Sequence, residues 1–171
     1  MICTSIEELS RNIEEIRKGK KVVLATGSFD LFHYDHLKYL EGAKKQGDIL
    51  VVAVKGDKAV NKKSPERPII CEEHRAAIVD SIKPVDFTII MDYDEALQLE
   101  IKADNARQRE WLIIFQELFK KLRPDILYHE DNPILQSARD KVFEKYGIKG
   151  IKKKRGENAS TTGIVNKLRA V

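Results

Sequence analysis

The amino-acid sequence predicts an open α/β fold, in which helices cover both faces of a parallel sheet. Short apolar segments alternate with segments of helical periodicity along the whole chain, which is the pattern of such folds. Two of the apolar segments, 20–26 and 48–56, lack the polar alternation of half-exposed strands, so we expect both of their faces to be buried. The length of 171 residues, with no linker or low-complexity tract, indicates a single domain over 1–171.

Apolar periodicity and the positions of glycine and proline place the individual elements. The N-terminal helix covers most of residues 1–19, with Thr4 or Ser5 as its N-cap. Further helices are predicted over 36–46, 71–82, 105–122 and 133–146 and from about 160, and strands over 20–26, 48–56, 86–91, 125–129 and 148–152. Residues 57–70 are predicted as a loop, and 92–104 carry no clear pattern. The result is a Rossmann-like open parallel sheet of about five strands with helices on both faces.

The composition is that of an ordinary globular protein, with 42% hydrophobic and 34% charged residues and a net charge of +4. No apolar segment approaches the roughly 20 residues of a membrane-spanning helix, and the charged N-terminus does not resemble a secretory signal. Cys3 and Cys71 lack the spacing of a disulfide framework, so we expect reduced thiols and a cytoplasmic location. Basic residues cluster at 62–67 and 149–155, which suits nucleic acid, a small polyphosphate or simply a solvated surface.

The segment at 26–36, TGSFDLFHYDH, joins the first buried strand to a predicted helix. Gly27 and Ser28 are small, so the chain can turn sharply there and expose backbone N–H groups. The following helix presents the positive end of its dipole to the same space, so the two features together form an anion site. His33 and His36 flank the start of this helix, where both imidazoles can bind the anion.

Other interpretations of this segment fit its residues less well. A zinc site would need a third Cys or His nearby, and the sequence offers none. A catalytic role for Ser28 would need a G-x-S-x-G turn, and a dinucleotide site would need G-x-G-x-x-G; neither is present. A packed or surface histidine pair remains the main alternative to the anion site.

Four segments in a consistent order resemble the cytidylyltransferase-like nucleotidyltransferases. GSFDLFHYDH is similar to the family signature G-x-F/Y-D-x-x-H-x-G-H, and GDILVVAVKGDKAVNKK to its second strand and lysine loop. RPIICEEHRAAIVDSIKPVDFTI resembles the R-P…E-x-R…VD segment, and RGENASTTGIVNKL resembles the closing Arg…S-T-T/S helix. Within the family, the chain most resembles glycerol-3-phosphate cytidylyltransferase and the heptose-phosphate nucleotidyltransferases of lipopolysaccharide biosynthesis.

The resemblance implies transfer of CMP or AMP from CTP or ATP to the phosphate of a small sugar or polyol phosphate, with release of pyrophosphate. Catalytic side chains are implied at His33, His36, Lys63 and Arg155. Nucleotide contacts are implied at Gly27, Ser28, Phe29, Asp35, Lys62, Ser160, Thr161 and Thr162. Acceptor contacts are implied at His129, Asp131 and Arg75. Lys62 and Lys63 compete for the role of the loop lysine, Arg75 suits a structural role equally well, and Asp30 is expected to order the loop.

The resemblance also implies the cofactor and the partners. Mg²⁺ is expected to arrive bound to the nucleotide phosphates, since this ion needs few protein ligands. The expected small-molecule partners are CTP or ATP and a phosphorylated sugar or polyol. Relatives are commonly dimers, so a homodimer is expected, and neither nucleic acid nor a membrane is expected as a partner.

The sequence departs from the family at three places. Asp35 stands where the family has glycine, and we expect it to cap the helix beginning at His36, with contact to the ribose, a metal or an unusual substrate as the functional alternative. The heptose enzymes have a K-G-G-D-Y-like segment where this chain has YHEDN, so Asp131 aligns but His129 and Glu130 replace glycines. A helical insertion at 92–123 could cover the site, form a dimer surface or simply pack in the core.

Two classes of function therefore remain. The first is a working nucleotidyltransferase. The second is a nucleotide-binding paralogue in which Asp35 has impaired catalysis. An aminoacyl-tRNA synthetase shares the histidine signature, but this chain is short and lacks a K-M-S-K-S loop.

Overall fold

The computed structural model describes residues 1–62, 66–94, 96–153 and 163–165. Its strands are β1 (Ile2–Cys3), β2 (Val22–Gly27), β3 (Ile49–Lys55), β4 (Phe87–Met91), β5 (Ile126–Glu130) and β6 (Lys149–Lys153). Its helices are α1 (Ile6–Arg17), α2 (Tyr34–Lys44), α3 (Asp57–Asn61), α4 (Glu72–Asp80), α5 (Ala106–Leu122) and α6 (Pro133–Tyr146), and residues 163–165 are also helical.

The described strands form one parallel sheet in the order β1-β4-β3-β2-β5-β6. The predicted open parallel α/β class is therefore confirmed. Within the described residues the sheet has six strands rather than about five, because β1 is too short to leave a periodic signal in the sequence. The chain runs outward from β2 to β3 and β4, then crosses back to β5 on the other side of β2. The strand order thus reverses between β2 and β5, where such sheets bind ligands beyond their carboxyl ends.

Helices cover both faces of the sheet, as predicted. Leu24 and Val51 face a core formed with α1, α5 and α6, whereas Val23 and Val52 face a second core formed with α2 and α4. This arrangement explains why the central strands are apolar at every position, since each side chain enters one core or the other. No helix in the described part of the chain is both long and apolar enough to span a lipid bilayer.

Polar side chains set the starts of several helices where the sequence predicts them. Ser5 accepts the N–H of Glu8 at 3.1 Å at the start of α1, and Asn105 accepts that of Gln108 at 2.9 Å at the start of α5. Gly147 ends α6 in the left-handed conformation, with φ of 70°, which a glycine adopts without a steric penalty.

The segment at 92–123 contributes to the core through α5. Trp111, Phe115 and Phe119 on this helix are at most 4% exposed and contact one another and the sheet. The helix is also the crossover that carries the chain from β4 to β5. Of the three roles considered for the insertion, the burial of α5 therefore favours core packing. The assignment of the whole chain to a single nucleotidyltransferase domain stays a prediction.

Candidate active site

The segment after β2 lies at the point where the strand order reverses. β2 pairs with β5 only as far as Ala25, opposite Tyr128, and continues for two further residues beside β3. The chain then passes through residues 28–33 and enters α2. The carboxyl end of β2, the turn and the start of α2 therefore border one crevice.

The turn after β2 has an unusual backbone. Phe29 and Leu31 have φ of 53° and 49°, in the left-handed region that side chains other than glycine rarely adopt. Phe29 is nevertheless buried, at 2% exposure, and its ring folds back over Gly27. A Cβ atom at Gly27 would lie 2.9 Å from two carbons of that ring, so any larger residue there would have to displace the Phe29 ring. Backbone strain of this kind concentrates at functional sites, and here it shapes the predicted phosphate cradle.

Asp30 holds the turn in place from within. Its carboxylate is 1% exposed and accepts the Nε–H of Arg67 at 2.6 Å and the N–H groups of Ile69 and Ile70 at 3.0 Å. Burial on its own would raise the pKa of Asp30, but the two amides and the guanidinium outweigh that effect and lower the pKa. Asp30 thus orders the loop, as the sequence predicts.

Arg75 ties the same turn to the neighbouring strand. Its side chain is wholly buried and donates to the carbonyl oxygens of Ser28, Lys55 and Ile70, and to Asp57 Oδ1 at 2.6 Å. The guanidinium is enclosed by protein and committed to these partners, which favours the structural role, and an acceptor-binding role for Arg75 stays a prediction.

His33 and His36 form a stacked pair at the start of α2. Their ring centroids are 3.8 Å apart and the rings are inclined by 22°. The backbone N–H of His33 donates to Nδ1 of His36 at 3.3 Å. Because Nδ1 accepts this bond, the proton of a neutral His36 ring lies on Nε2. Among the described residues, no group of three or more His, Cys, Asp or Glu side chains accompanies them as a metal site.

Both histidines are neutral at pH 7 in the free protein. Burial lowers the pKa of His36 to about 4, and repulsion from His33 contributes, while the charge of Asp35 opposes the shift. Burial also lowers the pKa of His33, again opposed by Asp35. The pair can therefore donate hydrogen bonds to a phosphate at once, and the negative charge of a bound triphosphate would raise both pKa values.

This shift predicts a pH-dependent stability. Because the folded-state pKa of His36 is below its ordinary 6.5, the unfolded chain binds the proton more readily. The contribution of the neutral His36 ring to the free energy of unfolding is fully present above pH 6.5. It is lost as the pH falls towards 4, at up to about 1.4 kcal/mol per pH unit. We expect urea unfolding of His36→Gln to depend less steeply on pH over this range than that of the wild type. Parallel pH dependences would contradict a depressed pKa at His36.

Asp35 is not the helix cap that the sequence predicts. The helix begins at Tyr34, so His33 occupies the N-cap position and Asp35 lies within the first turn. A carboxylate there interacts favourably with the helix dipole, and Lys153 donates to the backbone oxygen of Asp35 at 3.3 Å. The boundary was misplaced because Asp35 is a better capping residue than His33 on propensity alone.

The end of β5 carries the other predicted acceptor residues. His129 is 3% exposed, with its ring 6.0 Å from that of Phe143 and its Nδ1 bonded to the Glu130 carbonyl at 3.0 Å. Asp131 lies on the surface, with Oδ1 3.5 Å from Nζ of Lys152. His129 contacts Phe143 of α6 whereas the histidine pair lies at the start of α2, and these two helices cover opposite faces of the sheet.

The predicted lysines, arginine and hydroxyl residues are only partly covered by the structure. Lys62 is exposed at the end of α3, and its Nζ lies 3.8 Å from the ring centroid of Tyr93. The short helix α3 itself was missed, since residues 57–70 were predicted as a loop. Lys63, Arg155, Ser160, Thr161 and Thr162 lie outside the described residues, and of the predicted closing helix only 163–165 are described.

Two site residues were missed from the sequence. Tyr39 is buried at the carboxyl ends of β2 and β5, where its hydroxyl donates to the Tyr128 carbonyl at 2.7 Å and accepts the N–H of Thr26 at 3.3 Å. Arg139 is 6% exposed and donates to the Glu130 carbonyl at 3.1 Å. Each lies on a helix whose periodic pattern predicted only core packing or solvent exposure, so no local signal marked them.

Comparison with known proteins agrees with this geometry. The sequence matches the cytidylyltransferase-like family over residues 24–167. It is 32% identical over 167 residues to bifunctional protein HldE of Syntrophotalea carbinolica, covering 95% of this chain and 30% of that protein. It is 34% identical over 167 residues to bifunctional protein HldE of Gluconobacter oxydans, covering 94% of this chain and 30% of that protein. The chain thus spans less than a third of the length of these relatives.

Solved structures show the same fold. A lipopolysaccharide core biosynthesis protein from Thermoplasma volcanium has a TM-score of 0.59 and 27% identity, over 82% of this chain and 100% of that one. Pantoate-beta-alanine ligase from Francisella tularensis has a TM-score of 0.71 over 100% of this chain and 78% of that one, but its 15% identity supports the fold alone. With its fold, its histidine pair and its sequence in agreement, this chain belongs to the cytidylyltransferase-like family.

Proposed function

We propose that the chain transfers CMP or AMP from CTP or ATP to the phosphate of a small sugar or polyol phosphate and releases pyrophosphate. The observation that carries this proposal is the stacked pair of His33 and His36 at the start of α2, beside the strained turn after β2. Donors, a helix N-terminus and exposed backbone meet at the crevice where the strand order reverses. Each of these features favours a polyphosphate ligand.

The chemistry needs positioning and charge stabilisation, and no covalent intermediate with the protein. An oxygen of the acceptor phosphate attacks the α-phosphorus in line, and the bond from the α-phosphorus to the bridging oxygen of the pyrophosphate breaks. The bonding electrons leave with the pyrophosphate, whose negative charge increases in the transition state. Because Nδ1 accepts the backbone bond, Nε2 of His36 carries the proton and would stabilise that charge. His33 would act beside it on the same phosphates.

The remaining contacts of the proposal come from the family motifs. Backbone groups of residues 27–29 would bind the phosphates, and Lys62 or Lys63 would reach them from the loop after β3. Arg155 and the hydroxyl residues 160–162 would bind the nucleotide from the closing segment. Asp35 lies close enough to both histidines to affect their pKa values and so belongs to the same region.

Mg²⁺ is part of this proposal as an ion carried by the nucleotide. Within the described residues, no group of three or more His, Cys, Asp or Glu side chains is placed to hold a metal, and the Asp30 carboxylate is enclosed by its loop partners. The donors present therefore fit an ion bound mainly by triphosphate oxygens, which is how Mg²⁺ is commonly bound. When bound, it would neutralise part of the phosphate charge, while the histidines act on the leaving group.

The acceptor class is supported by the relatives. Proteins named bifunctional protein HldE and a lipopolysaccharide core biosynthesis protein are among them, which favours a sugar phosphate. The free thiols of Cys3 and Cys71 suit a reducing compartment, and we propose that the enzyme acts in the cytoplasm. The homodimer remains a proposal that sedimentation can test.

A substrate screen tests the proposal. Purified protein is incubated with Mg²⁺, with CTP or ATP, and with single sugar or polyol phosphates, and pyrophosphate is measured. We expect release that requires both the nucleotide and one class of acceptor, with a nucleotide-linked product detected by mass spectrometry. Nucleotide binding without pyrophosphate release on any acceptor would instead support a catalytically impaired paralogue.

The variant Asp35→Gly tests whether Asp35 impairs the site. Because this residue lies in the first turn of α2 and favours its dipole, we expect the free energy of unfolding to fall by about 1 kcal/mol. We expect turnover to change by less than tenfold, since the bond that holds the Nδ1 of His36 comes from the His33 backbone and Asp35 acts on the pair only through its charge. A gain in turnover beyond that range, measured beside Asp35→Asn, would favour the impaired paralogue, and a comparable loss would give Asp35 a working role.

A further inference from the structure

A second polar cluster lies at the carboxyl end of β5, on the α5 and α6 side of the sheet. It consists of His129 on β5, Arg139 on α6 and Trp111 on α5, and these residues are 3%, 6% and 4% exposed. Polar side chains of this kind are rarely enclosed unless they are fully paired or bind something. The transfer mechanism proposed for the histidine pair makes no use of them.

His129 and Arg139 both contact the same backbone carbonyl oxygen. The carbonyl oxygen of Glu130 accepts from Nη1 of Arg139 at 3.1 Å and lies 3.0 Å from Nδ1 of His129. A carbonyl oxygen can only accept, so Nδ1 of His129 carries the proton and its Nε2 presents a lone pair. The guanidinium carbon of Arg139 also lies 6.0 Å from the centroid of the Trp111 ring, a contact that restrains the side chain.

Two atoms of this cluster are left without a partner among the described residues. Nε2 of His129 is a buried acceptor, and Nε–H of Arg139 is a buried donor. Each such group costs about 1–3 kcal/mol when it is enclosed and unpaired. Because both side chains contact the same carbonyl oxygen, the unpaired acceptor and the unpaired donor belong to one small region.

The chemistry of the two atoms selects the group that can satisfy both. A hydroxyl can serve either atom, because its O–H can donate to Nε2 of His129 and its oxygen can accept the Nε–H of Arg139. A phosphate or carboxylate oxygen offers only acceptors and would leave Nε2 of His129 unpaired. Burial lowers the pKa of His129 and the charge of Arg139 contributes, which favours the neutral ring with a free lone pair in the unliganded protein.

The cluster lies across the carboxyl edge of the sheet from the histidine pair, where Tyr39 of α2 bonds to the carbonyl of Tyr128, the residue before His129. The guanidinium of Arg139 and the hydroxyl of Tyr39 affect each other's pKa, and Tyr39 bonds to backbone atoms of both β2 and β5. The charge of Glu130 likewise reaches His33. An acceptor whose phosphate lies beside the histidine pair could therefore extend its hydroxyl-bearing part towards the end of β5.

We propose that His129 and Arg139 form a hydroxyl-binding subsite that recognises the polyol part of the acceptor, with Trp111 holding Arg139 in place. This inference rests on the proposed function, because it assigns part of the acceptor to that same site. It makes His129 and Arg139 specificity-determining residues and predicts that acceptors without a hydroxyl bind weakly.

Direct binding tests the subsite separately from turnover. Glycerol 3-phosphate and mannose 1-phosphate are the hydroxyl-bearing probes, and n-propyl phosphate is the probe without hydroxyl groups. Long-range proton–nitrogen NMR spectra of the nitrogen-15-labelled chain can follow each of its four histidines. We expect a hydroxyl-bearing probe to shift the Nε2 signal of His129, and n-propyl phosphate to leave it unchanged. Failure of both hydroxyl-bearing probes to shift that signal overturns the subsite, whether or not pyrophosphate is released.

Variants provide the second measurement. We expect wild-type protein to bind the better hydroxyl-bearing probe about tenfold more tightly than n-propyl phosphate, and His129→Phe and Arg139→Met to lose that preference. CTP and ATP affinities should stay unchanged in both variants. Lys141→Met is the control, since Lys141 lies on the same helix but is paired with Asp104 at 2.7 Å. A preference that survives in His129→Phe contradicts the proposal, even where Arg139→Met does not fold.

Discussion

Replacing His36 with alanine is expected to lower kcat for nucleotidyl transfer by about 100- to 1,000-fold, the usual effect of removing one preorganised donor to a developing charge. The backbone bond from His33 holds Nδ1 of His36 and leaves Nε2–H for the leaving group. The fold should survive, because His36 is neutral in the free protein and its loss leaves no charge unpaired. Initial rates of pyrophosphate release provide the measurement.

The control for this variant is His74→Ala, which removes an exposed histidine of α4 that lies away from the turn. We expect its kcat to match the wild type. His36→Gln should recover part of the lost rate, because an amide N–H can replace the donor. Turnover of His36→Ala within a factor of a few of the wild type would mean that the pair does not act on the leaving group.

The largest expected effect on stability is that of Arg75→Leu. Its guanidinium is wholly buried and bonds to Asp57, to Ser28 and Lys55 at two strand ends, and to Ile70. Removing it leaves three partly buried carbonyl groups and a carboxylate without this donor, so the free energy of unfolding should fall by about 3–5 kcal/mol. Urea unfolding monitored by tryptophan fluorescence measures this, since Trp111 is buried in the core.

The matched variant is Asp57→Asn, which removes one charge but keeps the guanidinium and a side-chain oxygen. Because the Asp57 side chain is 40% exposed, we expect a loss of about 1 kcal/mol or less. A loss from Arg75→Leu no larger than this would show that the turn does not depend on Arg75.

Much of the fold could be predicted because its signals are local. The buried strands β2 and β3 can be recognised by their unbroken apolar runs. The helix α6 can be recognised by Pro133 at its first position and Gly147 at its end. The strand β1 was missed because two residues have no period, although its pairing with β4 places it in the sheet. The start of α2 was misplaced by two residues, since His33 rather than Asp35 occupies the N-cap position.

The same distinction between local and long-range signals applies to the candidate site. The turn around Gly27 and the role of Asp30 could be predicted, because both follow from a short motif with defined backbone needs. The burial of Arg75 and the cluster of His129 and Arg139 could not, because each depends on residues far apart in sequence that meet only in the fold. A charged residue on a helix is usually exposed, so the pattern favoured the wrong environment for both arginines.

The central claim is that the acceptor phosphate attacks the α-phosphorus of the nucleotide. An acceptor that carries oxygen-18 in its phosphate group tests this most directly, once the substrate screen has identified one. We predict that all of the label is recovered in the nucleotide-linked product, with one labelled oxygen bridging the two phosphorus atoms and none in the pyrophosphate. Recovery of the label in pyrophosphate or in the released nucleoside monophosphate would contradict the proposed transfer.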